Sequence, residues 1–256
     1  GGLLLSKQIG LLESVGAGYV VTGLIAVLRG ELPRAMQSYQ AAAAAFKELG
    51  DPRMVAWVDS QVAQVLLLRG ELAAARQKNE QALAIRQQHG LSGFAAESQA
   101  ALAAIDLEEG LWPQAEAHAR AAAAQVARDA QVGNEAWAQA LCAQALAGQQ
   151  QQPEEAAQAM ARASELGGRC QNRLIRLLVQ RSAILLRLRQ DPSSSAAAEQ
   201  QLAPLLAEAR AAGLLTEEYE IRAAQYLARL AQGRTPELVQ QVRSFAQQAS
   251  SRELGQ

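Results

Sequence analysis

The feature that most constrains this chain is the spacing of its glycines. Gly30, Gly70 and Gly110 lie 40 residues apart, and so do Gly10, Gly50 and Gly90. The two series are offset by 20, so a turn signal falls about every 20 residues over the first half. A helix followed by glycine, repeated at that pitch, is the signature of stacked helical hairpins, because glycine alone enters the left-handed conformation that ends a helix without penalty. The residues between the glycines fit helices. Half of the chain is apolar, yet aromatics make up only 4%, and much of the rest is alanine, the best helix former. The sequence therefore predicts an all-α fold, an α-solenoid of about six hairpins and 12–13 helices, in one domain spanning residues 1–256.

The copies agree at particular positions. Leu28-Arg29-Gly30-Glu31-Leu32 matches Leu68-Arg69-Gly70-Glu71-Leu72, and Glu108-Glu109-Gly110-Leu111-Trp112 stands in the third copy. Alanine stands five residues past each glycine (Ala35, Ala75, Ala115) and again twelve past it (Ala42, Ala82, Ala122). A small residue stands seven before it (Gly23, Ala63, Ala103). Small residues at fixed places let helices approach, and Leu32, Leu72 and Trp112 then fill the remaining gap. The hairpins fall at about 11–50, 51–90, 91–130, 131–168, 169–213 and 214–252. In the second half the spacing loosens. Pro153 and Pro236 suit first helical turns, with Thr235 as N-cap, and a serine of the 193–195 run is the expected cap after Asp191-Pro192. The last helix carries Gln240, Gln241, Gln247, Gln248, Ser250, Ser251 and Arg252, the polar outer face that a terminal repeat needs.

These residues resemble the tetratricopeptide repeat, most clearly over residues 10–130, in a long-helix variant: the unit is 40 residues, not about 34. Such variants occur in bacterial signalling proteins. The resemblance implies a right-handed solenoid and a non-enzymatic scaffold that binds a protein or peptide in a concave groove, as the helical region of a larger bacterial regulatory protein. A ligand- or peptide-sensing domain that controls an attached effector is the alternative. The chain has no initiator methionine, and residues 3–9, with Gly10 in the place of Gly50 and Gly90, read as the tail of an earlier second helix. The expectation is a piece that begins inside a longer array or after another domain.

By the same resemblance the groove positions precede each turn glycine by 13, 10 and 6 residues. They are Ala17, Val20 and Leu24; Trp57, Ser60 and Gln64; Glu97, Ala100 and Ala104; Trp137, Ala140 and Gln144. Trp57 and Trp137 are expected either as groove anchors or as fillers between long helices. In the fifth hairpin Arg169, Arg173, Arg176 and Gln180 share one helical face, with Asn172 in the position of Asn134. That face either holds an anion from a partner or pairs with Glu217, Glu218 and Glu220. Ala17, Val20, Leu24 and Val27 leave the first groove oily, which predicts a packing partner or self-association there.

No catalytic set stands out. His89 and His118 have no cysteine or acid at metal-ligand spacing, and Cys142 and Cys170 fall too far apart along the helices for a disulfide. No phosphate-cradling glycine loop or nucleophile elbow occurs. The expectation is no enzyme and no cofactor. The net charge of −1 argues against a nucleic-acid partner or a polybasic membrane surface. The uncharged stretch Ser14–Leu28, 15 residues long, falls short of the roughly 20 needed to cross a bilayer. With two cysteines and no secretory leader, the sequence reads as cytoplasmic.

Overall fold

The computed structural model describes residues 2–251, with side chains from residue 10 onward. Among the described residues there are twelve α-helices and no strand. They are α1 (Gly2–Leu28), α2 (Leu32–Glu48), α3 (Pro52–Leu68), α4 (Leu72–Gln88), α5 (Ser92–Glu108), α6 (Trp112–Arg128), α7 (Val132–Gln149), α8 (Pro153–Arg169), α9 (Arg173–Gln190), α10 (Ser195–Ala211), α11 (Leu215–Gln232) and α12 (Pro236–Ser251). Consecutive helices pack on one another, as a helical-repeat solenoid requires.

The turns explain the period. At Gly30 the amide donates to Val27 O (2.9 Å), and the next amide, of Glu31, reaches Ala26 O (2.8 Å). This paired bonding satisfies the last helical carbonyls and needs a left-handed residue, here with φ +66°. The same pair of bonds closes the helices at Gly50, Gly70, Gly90, Gly110 and Gly213. It also closes α6 at Ala130 (φ +54°), and Gln150 (φ +58°) takes the left-handed position after α7. The 20-residue beat thus runs unbroken from residue 30 to residue 150, two steps beyond the last glycine of the ladder.

Gly10 is the exception. It lies inside α1, which runs unbroken from Gly2 to Leu28, and residues 3–9 extend that helix instead of forming the tail of an earlier one. The residues that follow do not decide this, since Gly213 ends α10 ahead of the same Leu-Leu pair; at Gly10 the backbone keeps the helical conformation, which glycine tolerates inside a helix at about 1 kcal/mol relative to alanine. The longer helix also changes the membrane comparison, since Gly10–Leu28 is long and apolar enough to span by length and composition.

The small residues act as anticipated. A Cβ on Gly16 would lie 2.7 Å from the Phe46 ring, and one on Gly23 would lie 2.4 Å from Tyr39. Two aromatic rings of α2 therefore lie flat on two glycines of α1. Trp112 rests on Gly148 in the same way (2.4 Å). Ala63 and Ala103 are fully buried at the position of Gly23. Asp51 caps α3, accepting from the amides of Arg53 (3.0 Å) and Met54 (3.4 Å), and Thr235 Oγ1 accepts from Leu238 N (3.2 Å). In the turn after α9 the N-cap position of α10 is a serine, Ser194, as expected, but its side chain makes no capping bond. Asp191 caps the short 3₁₀ turn Pro192–Ser194 ahead of it, accepting from Ser193 N (3.0 Å), where an anionic carboxylate is a strong acceptor.

Candidate functional site

The first helix of each hairpin faces inward. α1, α3, α5, α7, α9 and α11 touch in that order, and α11 returns to touch α1. Thr216 Oγ1 of α11 donates to Val27 O of α1 (2.8 Å), and Tyr219 of α11 joins the apolar cluster of α1, α2 and α3. Phe245 of α12 stacks on Tyr219, with ring centres 5.4 Å apart. The inner wall is therefore a closed circuit of six helices. This circuit corrects the expectation for the first groove. Val20 and Val27 are buried and Ala17 half-buried, while only Leu24 of that set is exposed. The chain's own C-terminal hairpin joins the cluster that buries Val20 and Val27.

Trp57 and Trp137 are half-buried. Trp57 packs against the α1–α3 cluster, and Trp137 against the alanine-rich cluster of α5, α6 and α7. Ser60 is half-buried and bonds its own helix at Ala56 O, and Gln64 is exposed. Glu97 is tied to the next inner helix, accepting from Asn134 Nδ2 (3.3 Å). Burial pushes its carboxyl above the usual range, against the pull of Arg86 and Asn134. Gln144 Nε2 donates to Ser182 Oγ (3.3 Å), linking α7 to α9.

The expected arginine face does not form. Arg169 ends α8 and faces Glu165 (3.7 Å). Asn172 is the N-cap of α9, its Oδ1 accepting from Leu174 N (3.0 Å). Arg173 and Arg176 both pair with Glu208 of α10 (3.3 and 2.8 Å), so they fasten the fifth hairpin and do not present a free cationic stripe. Gln180 is exposed. The acids expected to pair with that stripe meet other arginines: Glu218 faces Arg210 (3.0 Å) and Arg222 (3.9 Å), and Glu217 and Glu220 act on Arg181.

The inward arginine is Arg181. Its Nη1 bonds Glu220, and Glu217 and Glu108 also act on it. Burial opposes its charge, but these three carboxylates outweigh that and hold the guanidinium firmly ionised. Burial pushes the carboxyls of Glu217 and Glu108 up, and the neighbouring Glu220 adds to both shifts. Two buried atoms of this cluster, Arg181 Nε and Glu217 Oε2, have no partner. Three helices (α5, α9 and α11) thus bring three carboxylates and one arginine together, a net acidic spot on the inner wall.

Two further polar groups were not anticipated, and both occupy positions that are apolar in other repeats. Arg86, 2% exposed, threads under α5, where its Nη1 donates to Phe94 O (2.8 Å) and Ser98 Oγ (2.6 Å). Asp106, fully buried, accepts from Arg76 Nη2 (2.7 Å) and meets His118 Nδ1 (2.6 Å). His118 therefore has an acidic partner, supplied by the neighbouring helix and not by sequence spacing. Cys142 and Cys170 are both free thiols, and burial pushes the Cys142 thiol up. Among the described residues no three His, Cys, Asp or Glu side chains converge to hold a metal. No family model and no curated protein matches this chain.

Proposed function

We propose that the chain is a non-enzymatic, tetratricopeptide-like scaffold that binds a protein or peptide segment along its inner wall, as the helical region of a larger bacterial regulatory or signalling protein. The observation that carries this is the acidic cluster of Glu108, Glu217 and Glu220 around Arg181, with polar atoms left unpartnered on the concave side of stacked hairpins. The carboxyls of Glu217 and Glu108, held above their usual range by desolvation, gain from an incoming cation, so a segment bearing lysine or arginine fits that spot.

Selection from a displayed peptide library tests it. Binders should be enriched in basic residues and should lose affinity when Glu108, Glu217 and Glu220 are all changed to glutamine, with the helical circular-dichroism signal kept. Selected binders that ignore those changes would refute the assignment of the site.

The contact between α11 and α1 favours a second reading, a sensory domain whose closed circuit tightens on a small ligand or signalling peptide. Such a ligand would raise the melting temperature by mass action. A compound screen without a stabilising hit would count against it.

A further inference from the structure

We propose that α1 pairs antiparallel with α1 of a second copy of this chain, around a two-fold axis passing beside Gly18. The argument begins with the stacking interface inside the array. In α3, α5 and α7 the residues twelve and five before the turn are buried against the preceding hairpin: Val58 and Val65, Ser98 and Ile105, Ala138 and Ala145. The corresponding residues of α1 are Gly18 and Ile25, and both are exposed. Around them the face stays apolar, with Leu11 65%, Val15 40%, Val21 54% and Ile25 44% exposed. So α1 presents the same stacking face as its three successors, and among the described residues nothing covers it. A monomer seldom leaves such a contiguous apolar stripe in water.

The pattern on that face selects a second copy as its cover. Leu11 and Ile25 stand seven residues either side of Gly18, Ser14 and Thr22 four, Val15 and Val21 three. At about 100° per residue, all six lie within roughly 60° of Gly18 around the helix. A stripe that reads alike in both directions is self-complementary under a two-fold rotation, which sets Leu11 against Ile25, Val15 against Val21 and Ser14 against Thr22 of the second copy. Gly18 at the centre lets the two backbones come close, and nothing in its own chain lies within 4 Å of the place its Cβ would take. The hydroxyls of Ser14 and Thr22 are already spent within the helix, on Gly10 O (2.8 Å) and Gly18 O (2.9 Å), so they enter the interface satisfied. Beside Ile25 a shallow depression of about 240 Å³ opens between α1 and the start of α2, where Leu11 of the second copy would seat.

Sedimentation velocity of the whole chain across the micromolar range tests the proposal. Wild type should sediment as a dimer, and Gly18→Arg should convert it to a monomer with an unchanged helical signal, because that side chain meets open space in one chain. With Cys142 and Cys170 replaced by alanine, Leu11→Cys chains should cross-link to Ile25→Cys chains and not to themselves. A monomeric wild type, a dimer indifferent to Gly18→Arg, or cross-linking of Leu11→Cys chains to each other would each overturn the pairing. So would α1-dependent pelleting with phosphatidylcholine vesicles by a chain that stays monomeric, which would assign the face to a membrane.

Discussion

The first hairpin and the stack of α4 on α5 place opposite chemistry at equivalent repeat positions. Eleven and four residues before the turn, α2 carries Tyr39 and Phe46, and α4 carries Asn79 and Arg86. All four are buried. Four before the turn in the inner helices stand Ala26, Leu66, Asp106 and Leu146, and again all are buried. The backbone repeats; the filling does not. Where the fill is aromatic, the inner helix yields space through Gly16 and Gly23. Where it is charged, the neighbour supplies partners instead: the Phe94 carbonyl and Ser98 for Arg86, and Arg76 with His118 for Asp106. The period is thus carried by the turns and the small residues, and the large core positions are free to vary, even at the cost of polar atoms left without a partner at Tyr39 (its hydroxyl), Asn79 (Oδ1) and Arg86 (Nη2).

The largest effect that would break this comparison is at Asp106. Asp106→Ala takes the shared, fully buried acceptor from Arg76 and His118, which are themselves partly exposed, and leaves Arg76 with Glu109. Stability should fall by about 2–3 kcal/mol, the range for lost hydrogen bonds to a charged group. Urea titration at neutral pH reads it out. A loss no greater than that of an exposed carboxylate would mean that the polar filling carries no weight.

On the aromatic side, Gly23→Ala drives a methyl into the Tyr39 ring and should cost about 2 kcal/mol, the range of overpacked cores. Gly10→Ala in the same helix should act in the other direction. Nothing lies within 4 Å of a Cβ there, and alanine favours a helix interior over glycine by about 1 kcal/mol. If Gly10→Ala instead destabilises, Gly10 is a turn after all and α1 is broken where the ladder says it should be.

A smaller effect concerns the inner wall. Glu217 has a carboxyl raised by burial, so the folded state holds its proton more tightly than the unfolded chain, where a glutamate titrates near about 4.3. By linkage its contribution is present in acid and is lost as pH rises through the folded value. Glu217→Gln should therefore raise the melting temperature at pH 7 and change it little at pH 4, with Arg181 still paired to Glu220. An equal gain at both pH values would show that the carboxylate's charge is not what matters.

Most of the architecture was legible because it rests on residues with single physical roles. Glycine ends helices, proline opens them, and alanine at fixed spacing sets helix distance, so helix bounds from α2 to α12 could be read to within a few residues. The site was far less legible. Repeat register places a residue on a helix, but it does not say which neighbour that residue meets. Arg173 and Arg176 look like a free stripe until Glu208, on the partner helix of their own hairpin, comes into reach. Arg181 is only one residue past the expected stripe, yet it faces the inner wall. Arg86 and Asp106 did leave a signal, a charge where the aligned copies are Phe46 and Leu66. The closure of α11 on α1 left none, because a contact between residues 216 and 27 depends on curvature summed over five hairpins.

The ladder itself yields the sharpest test. Ala130 adopts the left-handed conformation that glycine holds at five earlier turns, and it makes the same paired hydrogen bonds. An L-residue with a Cβ is disfavoured there by about 1 kcal/mol. Ala130→Gly should recover most of that, less the entropy that glycine loses on folding, and Gly90→Ala should impose a matching loss one repeat earlier. The two changes exchange the same side chain at equivalent turns, so their shifts in denaturation midpoint should be opposite in sign and similar in size. Equal signs would mean that the turn at 130 is not the turn at 90, and the 20-residue beat would then end with the glycines.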